Sequence, residues 1–242
     1  MGLKIIGILV KITPRSVQLL LRKLYFQKIA DIFLDKLSGE YIYQSKWAED
    51  FKDNKQKVLD FWKKYYDFNK IKRLCQLKKE SRVLDIGCGI STILHYVEGK
   101  KYGIDPLADE YLKLYSYPKD ISLKKEEGEK LSFKNNYFDA IFCINVLDHV
   151  NDPKKVLKEA HRVLKNGGFF VVIVDIFKKN YKRDSAHPFS FTKKDILSLV
   201  NDNFKLIFEK EIKVSPSLLT YYVLKGKVKP NQIRGLTLVL KK

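Results

Sequence analysis

The sequence has few features of a secreted or membrane-spanning protein. It contains three cysteines, Cys75, Cys88 and Cys143, with no C-x-x-C or Cys/His spacing. An odd number of scattered cysteines argues against a disulfide framework and against a cysteine-based zinc site. Near the start, only six residues run uninterrupted by charge between Lys4 and Lys11, whereas a membrane-spanning helix needs roughly 20. These absences predict a reduced protein in the cytoplasm.

Acidic residues are scarce relative to basic ones. There are 28 Asp and Glu against 47 Lys and Arg, which gives a formal net charge of +19. Such a charge favours binding to a polyanion such as a nucleic acid. However, only 7 of the basic residues are arginine, the side chain that binds phosphate best because it can donate two parallel hydrogen bonds. The lysines are scattered in pairs rather than gathered in one patch. Nucleic acid is therefore an unfavoured partner, and most of the charge is interpreted as solvated surface.

Residues 1–80 contain no strand–glycine–helix unit and are predicted to form a helical N-terminal extension. Pro14 can open a helix over about 15–37, which Ser38-Gly39 would end. A second, aromatic-rich helical stretch covers 47–74. Three interpretations stay open: a cap packed on the following domain, a lid over a substrate pocket, or a basic helix in peripheral contact with the inner membrane face.

From residue 81 onward, apolar strands alternate with helices. This alternation predicts an α/β fold with a doubly wound, mostly parallel, seven-stranded sheet covered on both faces. A helix is expected directly after the first strand, at 91–99. The stretches at 204–212 and 218–227 have no long helix between them and are predicted to pair as an antiparallel C-terminal hairpin. The predicted domain covers 81–230, and 231–242 is predicted to be a basic C-terminal tail, in which IRGLTLVLKK is either an edge strand or a loose end.

A glycine turn and two acids predict one ligand site. In the stretch VLDIGCGIS, Asp85 precedes Gly87 and Gly89, and the next predicted strand ends on Asp105. Ligands bind at the carboxyl ends of such strands, where an acid can hold ribose hydroxyls. Thr92 stands where the dinucleotide fingerprint needs its last glycine, and a carboxylate at the mouth of the site would repel a diphosphate. The pattern favours a nucleoside that carries a positive charge and no phosphate.

The region from about 81 to 175 resembles a class I S-adenosylmethionine-dependent methyltransferase of the type 11 kind. VLDIGCGIS resembles the family's D-x-G-x-G-x-G loop, and YGID resembles the acidic end of its second strand. EGEKLSFKNNYFDAIFCINVLDHVNDPKKVLKEAHRVLKNGGFFVV resembles the block through its fourth and fifth strands. The resemblance implies a Rossmann-like fold and S-adenosylmethionine as cofactor. One departure is Ser91, which replaces the third glycine of the loop and is tolerable if it caps the next helix.

The same resemblance implies a set of cofactor-binding residues: Asp85, Gly87, Cys88, Gly89, Asp105, Pro106, Glu127, Gly128, Glu129 and Asn145. By this resemblance the first turn lines the methionine part, Asp105 holds the ribose, residues 127–129 lie by the adenine and Asn145 lies under the cofactor. Simpler interpretations stay open, with Asp85 as a brace of its loop and Glu129 as a solvated acid.

Three stretches at predicted strand ends bear on the methyl acceptor: IDPLADEY, NVLDHVNDP and HPFSF. Together they resemble a subgroup of these methyltransferases associated with surface-polysaccharide and sugar modification. The catalytic candidates are therefore Asp148, His149 and His187. An imidazole could take the proton of a sugar hydroxyl, or Asp and His together could hold a divalent metal, although no metal-ligand motif is present in the sequence. Both histidines could also be ordinary loop residues.

The sequence thus predicts an S-adenosylmethionine-dependent O-methyltransferase whose acceptor is a saccharide or glycan precursor. A lipid, quinone or other small metabolite is the first alternative, because the aromatic stretch FWKKYY could line an apolar pocket. RNA is less favoured, since NVLD stands where a base N-methyltransferase carries N-P-P-Y. A non-catalytic, cofactor-binding partner subunit is the remaining alternative. The oligomeric state is left open.

Overall fold

The structure, a computed structural model, describes residues 36–181, 187–214 and 232–242 of the chain. Nearly all of the helix predicted at 15–37, and with it the basic N-terminal segment expected to contact a membrane, lies outside these residues. The strand predicted at 218–227 lies outside them as well. Within the described ranges, no helix is both long and apolar enough to cross a bilayer.

Seven strands form one mixed sheet in the order β3-β2-β1-β4-β5-β7-β6. Strands β1 to β5 are mutually parallel, and β7 runs antiparallel to both β5 and β6. The strands are β1 (Arg82–Ile86), β2 (Lys100–Asp105), β3 (Ile121–Lys125), β4 (Phe138–Ile144), β5 (Leu164–Phe177), β6 (Lys205–Ile212) and β7 (Ile233–Lys241). The predicted fold class is confirmed.

Both faces of the sheet are covered, as its continuous apolar strands require. Leu84 and Ile86 of β1 pack into a core layer with Val156 of the helix that follows β4. Val83 faces the other way, into a layer with Ile71 of the N-terminal helical region. Alternate residues of one strand therefore stabilise two separate layers, because successive side chains point to opposite faces.

Among the described residues, five α-helices flank the sheet: α1 (Lys36–Tyr65), α2 (Phe68–Leu74), α3 (Ala108–Leu114), α4 (Pro153–Val163) and α5 (Lys193–Asn201). The expectation that Ser38-Gly39 ends a helix is wrong, because α1 continues through both residues and kinks only at Asn54. The break comes instead after Tyr65, where Asp67 adopts a left-handed φ of 54°. Tertiary packing of α1 on the domain outweighs the local preference of Gly39.

The prediction of a helix at 91–99 is also wrong. Only a 3-10 turn, Ile93–His95, follows β1. Thr92 forms its N-cap, and the Thr92 hydroxyl accepts a hydrogen bond from the backbone N–H of Leu94. Gly99, with φ of 107°, then turns the chain into β2 so tightly that a Cβ would lie 2.3 Å from the Ser81 carbonyl oxygen. Residues 87–99 therefore connect β1 to β2 without an α-helix.

The prediction of a separate basic tail at 231–242 is corrected by the structure. Residues 233–241 form β7, which lies inside the sheet between β5 and β6. Leu236, Leu238 and Leu240 belong to the main core, and Val239 packs into the layer on the opposite face. The strand is buried on both faces, and only the charged residues near its two ends made it resemble a basic tail.

The strand order places a cleft between the carboxyl ends of β1 and β4. From β1 the chain proceeds through β2 to β3 at one edge, and then crosses back to β4 on the other side of β1. Open α/β sheets bind ligands at this reversal. The predicted glycine turn and the loop after β4 both lie there.

Candidate active site

The glycine turn after β1 is enclosed from two sides. Gly87 and Gly89 have positive φ values of 66° and 51°, a conformation that glycine adopts at little cost. A Cβ on Gly87 would lie 2.4 Å from Cγ2 of Val146, in the loop after β4. A Cβ on Gly89 would lie 2.6 Å from Nε2 of Gln44, on α1. Both glycines are therefore needed for close approach as well as for the turn.

Asp85 braces this turn. Its carboxylate is 3% exposed and accepts hydrogen bonds from the Thr92 hydroxyl at 2.6 Å and the Ile93 backbone N–H at 3.3 Å. Burial raises the pKa of Asp85 to about 7, although both hydrogen bonds favour the ionised form. These contacts agree with the simpler interpretation, in which Asp85 braces its own loop. Its contact with the methionine part of a cofactor stays a prediction.

Asp105 joins the end of β2 to the glycine turn. Its Oδ2 accepts a hydrogen bond from the Gly89 N–H at 3.2 Å, and its Oδ1 accepts one from the Leu107 N–H at 2.9 Å. Burial raises the pKa of this carboxyl group. A carboxylate oxygen has two lone-pair positions, so each oxygen can accept a further bond from a ribose hydroxyl. Pro106, half-buried, leads from Asp105 into α3.

The side chain of Cys88 packs beneath β2. A Cβ on Gly103 would lie 2.9 Å from Cys88 Sγ, and the Cys88 N–H donates to the Ile104 carbonyl oxygen at 3.0 Å. Burial raises the pKa of its thiol. Any contact of Cys88 with a ligand would therefore come through its backbone.

Residues 127–129 lie in three different environments. Glu127 is exposed and Gly128 is buried; a Cβ on Gly128 would lie 2.9 Å from Cγ2 of Ile86. The Oε1 atom of Glu129 accepts hydrogen bonds from the backbone N–H groups of Asn151 and Asp152, at 2.7 and 3.3 Å. Glu129 thus stabilises the loop that leads into α4, and a position beside the adenine stays a prediction.

Asn145, directly after β4, is fixed by an aromatic side chain from α1's end. It adopts a left-handed φ of 54°, and its Nδ2 donates a hydrogen bond to the Tyr66 hydroxyl at 3.1 Å. Tyr66 is 8% exposed and stacks on Trp62 with ring centroids 5.2 Å apart. The sequence analysis missed Tyr66 as a site residue, and the aromatic density of FWKKYY was the available signal.

The three predicted catalytic residues come together. Asp148 and His149 follow β4, and His187 follows β5, yet the two imidazole centroids are 4.1 Å apart. His149 Nε2 lies 4.0 Å from Asp148 Oδ1. The Phe189 N–H donates to the Asp148 carbonyl oxygen at 3.4 Å and joins the two loops. We call Asp148, His149 and His187 the histidine cluster.

Helix α1 connects the glycine turn with the histidine cluster. Gln44 is 7% exposed; its Oε1 accepts from the Ile90 N–H at 2.9 Å, and its Nε2 donates to Glu40 at 2.8 Å. Burial raises the pKa of Glu40, which is electrostatically coupled to His149, Asp105 and Asp148. Neither Glu40 nor Gln44 was predicted, because nothing in their polar helical stretch marks them out. The glycine turn and the cluster are joined through Val146, which packs on Gly87 and whose carbonyl oxygen accepts from the His149 N–H at 2.8 Å.

Residues 84–172 match the family model described as a methyltransferase domain. An uncharacterized protein of Methanocaldococcus jannaschii is 28% identical over 193 residues, which cover 73% of this chain and 79% of that protein. A sterol 24-C-methyltransferase of Aspergillus fumigatus is 29% identical over 119 residues, covering 45% of this chain and 32% of that protein. The chain therefore spans about a third of the sterol enzyme.

Among solved structures, a putative sarcosine dimethylglycine methyltransferase from Galdieria sulphuraria superposes with a TM-score of 0.61. The alignment covers 75% of this chain and 86% of that one at 13% sequence identity. At that identity the likeness concerns the fold, and it agrees with the sheet order described above.

Proposed function

We propose that this chain, in which residues 84–172 form a methyltransferase domain that uses S-adenosylmethionine, methylates a hydroxyl group of a small acceptor. The main support is the histidine cluster, in which two imidazoles and a buried carboxylate come together after β4 and β5. The same region contains Asp105, an acid predicted to bind the cofactor. A saccharide or glycan precursor is the first candidate acceptor.

The cofactor site fits a cationic nucleoside. Asp105 has lone pairs to accept ribose hydroxyls, while Gly87 and Gly89 leave the backbone uncovered by side chains of their own. Asp85 keeps the turn in shape, and Asn145 lies at the end of the neighbouring strand. When bound, S-adenosylmethionine supplies a methyl group that its positively charged sulfur makes electrophilic.

The histidine cluster is suited to removing the acceptor's proton. A neutral imidazole nitrogen of His149 or His187 can accept the hydroxyl proton as the oxygen becomes nucleophilic. The nearby carboxylate of Asp148 then stabilises the imidazolium, because an opposite charge favours the charged form. Helix α1 is held on the neighbouring glycine turn by the hydrogen bond from the Ile90 N–H to Gln44.

The polar character of the cluster supports a hydroxyl-rich acceptor. Asp148, His149 and His187 offer several hydrogen-bonding atoms in a small space, as a sugar would use. The stretches IDPLADEY and HPFSF, which carry the resemblance to sugar-modifying enzymes, lie at the same edge of the sheet.

A lipid is the second candidate acceptor. Four large apolar or aromatic side chains on α1 are exposed, namely Leu37, Tyr41, Tyr43 and Phe61, at 43%, 36%, 45% and 48%. Contiguous exposed apolar patches mark surfaces that contact lipids or partners, and one relative is named a sterol 24-C-methyltransferase. The basic N-terminal segment is proposed to support peripheral contact with an anionic membrane face.

Two measurements test this function. The full chain is first titrated calorimetrically with S-adenosylhomocysteine, and Asp105→Asn should weaken binding while Asp109→Asn, on the exposed start of α3, should leave it unchanged. Methyl transfer from labelled S-adenosylmethionine is then followed into glycan, lipid and RNA pools of fractionated cell material. Label in the glycan pool is expected. Label confined to lipid or RNA overturns the acceptor, and absence of binding at millimolar ligand overturns the enzyme.

A further inference from the structure

The histidine cluster has the composition of a metal site. One ligand atom from each of Asp148, His149 and His187 can be chosen so that all three lie within 4.8 Å of one another. Two imidazoles and one carboxylate are ligands that first-row transition metals prefer, and with open positions they leave room for a substrate oxygen. The chain contributes them from two loops that its fold brings together.

Described residues beside these side chains are held by backbone hydrogen bonds. The His149 N–H donates to the Val146 carbonyl oxygen at 2.8 Å, and Val146 itself packs on Gly87. Phe189, two residues after His187, donates a hydrogen bond from its N–H to the Asp148 carbonyl oxygen. Metal–ligand bonds of about 2.0–2.2 Å place neighbouring ligand atoms roughly 3 Å apart. The chosen atoms lie within 4.8 Å of one another, so the two half-buried imidazoles have to move closer to Asp148 to bind one ion.

The surrounding charge favours a cation. Asp148 is 4% exposed, and a buried carboxylate is stabilised by a nearby positive charge. Glu40, half-buried on α1, is a second acid that interacts electrostatically with both Asp148 and His149. A divalent ion there would be balanced by these two acids.

We propose that Asp148, His149 and His187 bind a divalent first-row transition metal ion, which holds a hydroxyl oxygen of the methyl acceptor. This inference rests on the proposed function. A hydroxyl held by such an ion would have a lowered pKa, and its proton could pass to solvent beside the half-buried imidazoles. The ion would then replace the imidazole base in the proposed function. The histidines then act as ligands.

The test uses the full chain, without an affinity tag, freed of metal by a chelator and titrated with Co²⁺ alone. The expected result is one equivalent per chain, with visible d–d absorption bands typical of nitrogen and oxygen ligands. His187→Gln, on a half-exposed side chain, and Asp148→Asn should each weaken binding more than about tenfold, because even outer partners of metal ligands cost that much. His161→Gln lies in the last turn of α4, beside the amino-terminal end of β5, and this variant should bind as the wild type does.

Three results would overturn the metal site: no Co²⁺ binding by the wild-type chain, binding that survives His187→Gln, or methyl transfer at an unchanged rate in excess chelator. The calorimetric titration with S-adenosylhomocysteine keeps the two proposals apart. Cofactor binding without metal binding removes only the metal site, whereas metal binding without cofactor binding removes the methyltransferase function.

Discussion

A single methyl group at Gly87 tests how tightly the loops after β1 and β4 are joined. In Gly87→Ala, the new Cβ would lie 2.4 Å from Val146 Cγ2, and the residue must keep a φ of 66°. The left-handed conformation costs alanine about 1 kcal/mol, and overpacking adds about 1–3 kcal/mol. We expect the free energy of unfolding to fall by about 2–4 kcal/mol in urea denaturation, with weaker binding of S-adenosylhomocysteine.

Gly167→Ala is the matched control for the conformational cost. Gly167 has a φ of 78°, but its Cβ would meet only Lys241 Cε at 3.9 Å, so it isolates the backbone effect. It should cost about 1 kcal/mol. Adding Val146→Ala to Gly87→Ala should recover part of the overlap cost, because the two methyl groups in the way are removed. Equal losses for Gly87→Ala and Gly167→Ala would refute the argument.

Three further predictions concern the same site. Burial raises the pKa of Asp85 to about 7, so the contribution of this carboxyl group to stability is complete below the unfolded pKa near 4 and is lost as pH rises toward 7. The advantage of wild type over Asp85→Asn in the free energy of unfolding should therefore fall by about 2 kcal/mol between pH 5 and pH 7. An advantage that does not change with pH would contradict this prediction. Tyr66→Phe leaves the Asn145 amide without that hydrogen bond and should cost about 1 kcal/mol in urea denaturation; an unchanged midpoint would count against it. Gln44→Ala should expose the Ile90 N–H and speed its hydrogen exchange, whereas Gln44→Glu, which keeps the acceptor, should protect it more than alanine does.

The site residues read from the sequence are those whose role follows from local order. Asp85, Gly87 and Asp105 were found because a strand, a turn and the end of the next strand occur in fixed succession. Their surroundings could not be read in the same way. The sequence indicated an α-helix after the turn, but the structure forms only one 3-10 turn there, which Thr92 caps.

Residues that reach the site from distant segments were invisible beforehand. Glu40 and Gln44 come from a helix that the sequence could place only as cap, lid or membrane segment, and Tyr66 was hidden among other aromatic residues. Sequence analysis also treated 231–242 as a tail, because strand pairing between distant segments leaves no local mark beyond alternating burial.

The amino-acid sequence by itself determined the parallel core of the sheet, the glycine turn and the acids at the strand ends. Periodicity of apolar residues and the special backbone freedom of glycine are local properties, and they suffice for these features. Only the tertiary structure decided that β7 enters the sheet, that α1 covers the turn through Gln44, and that His149 and His187 meet beside Asp148. Those contacts depend on long-range packing, which brings together side chains that no spacing along the chain relates.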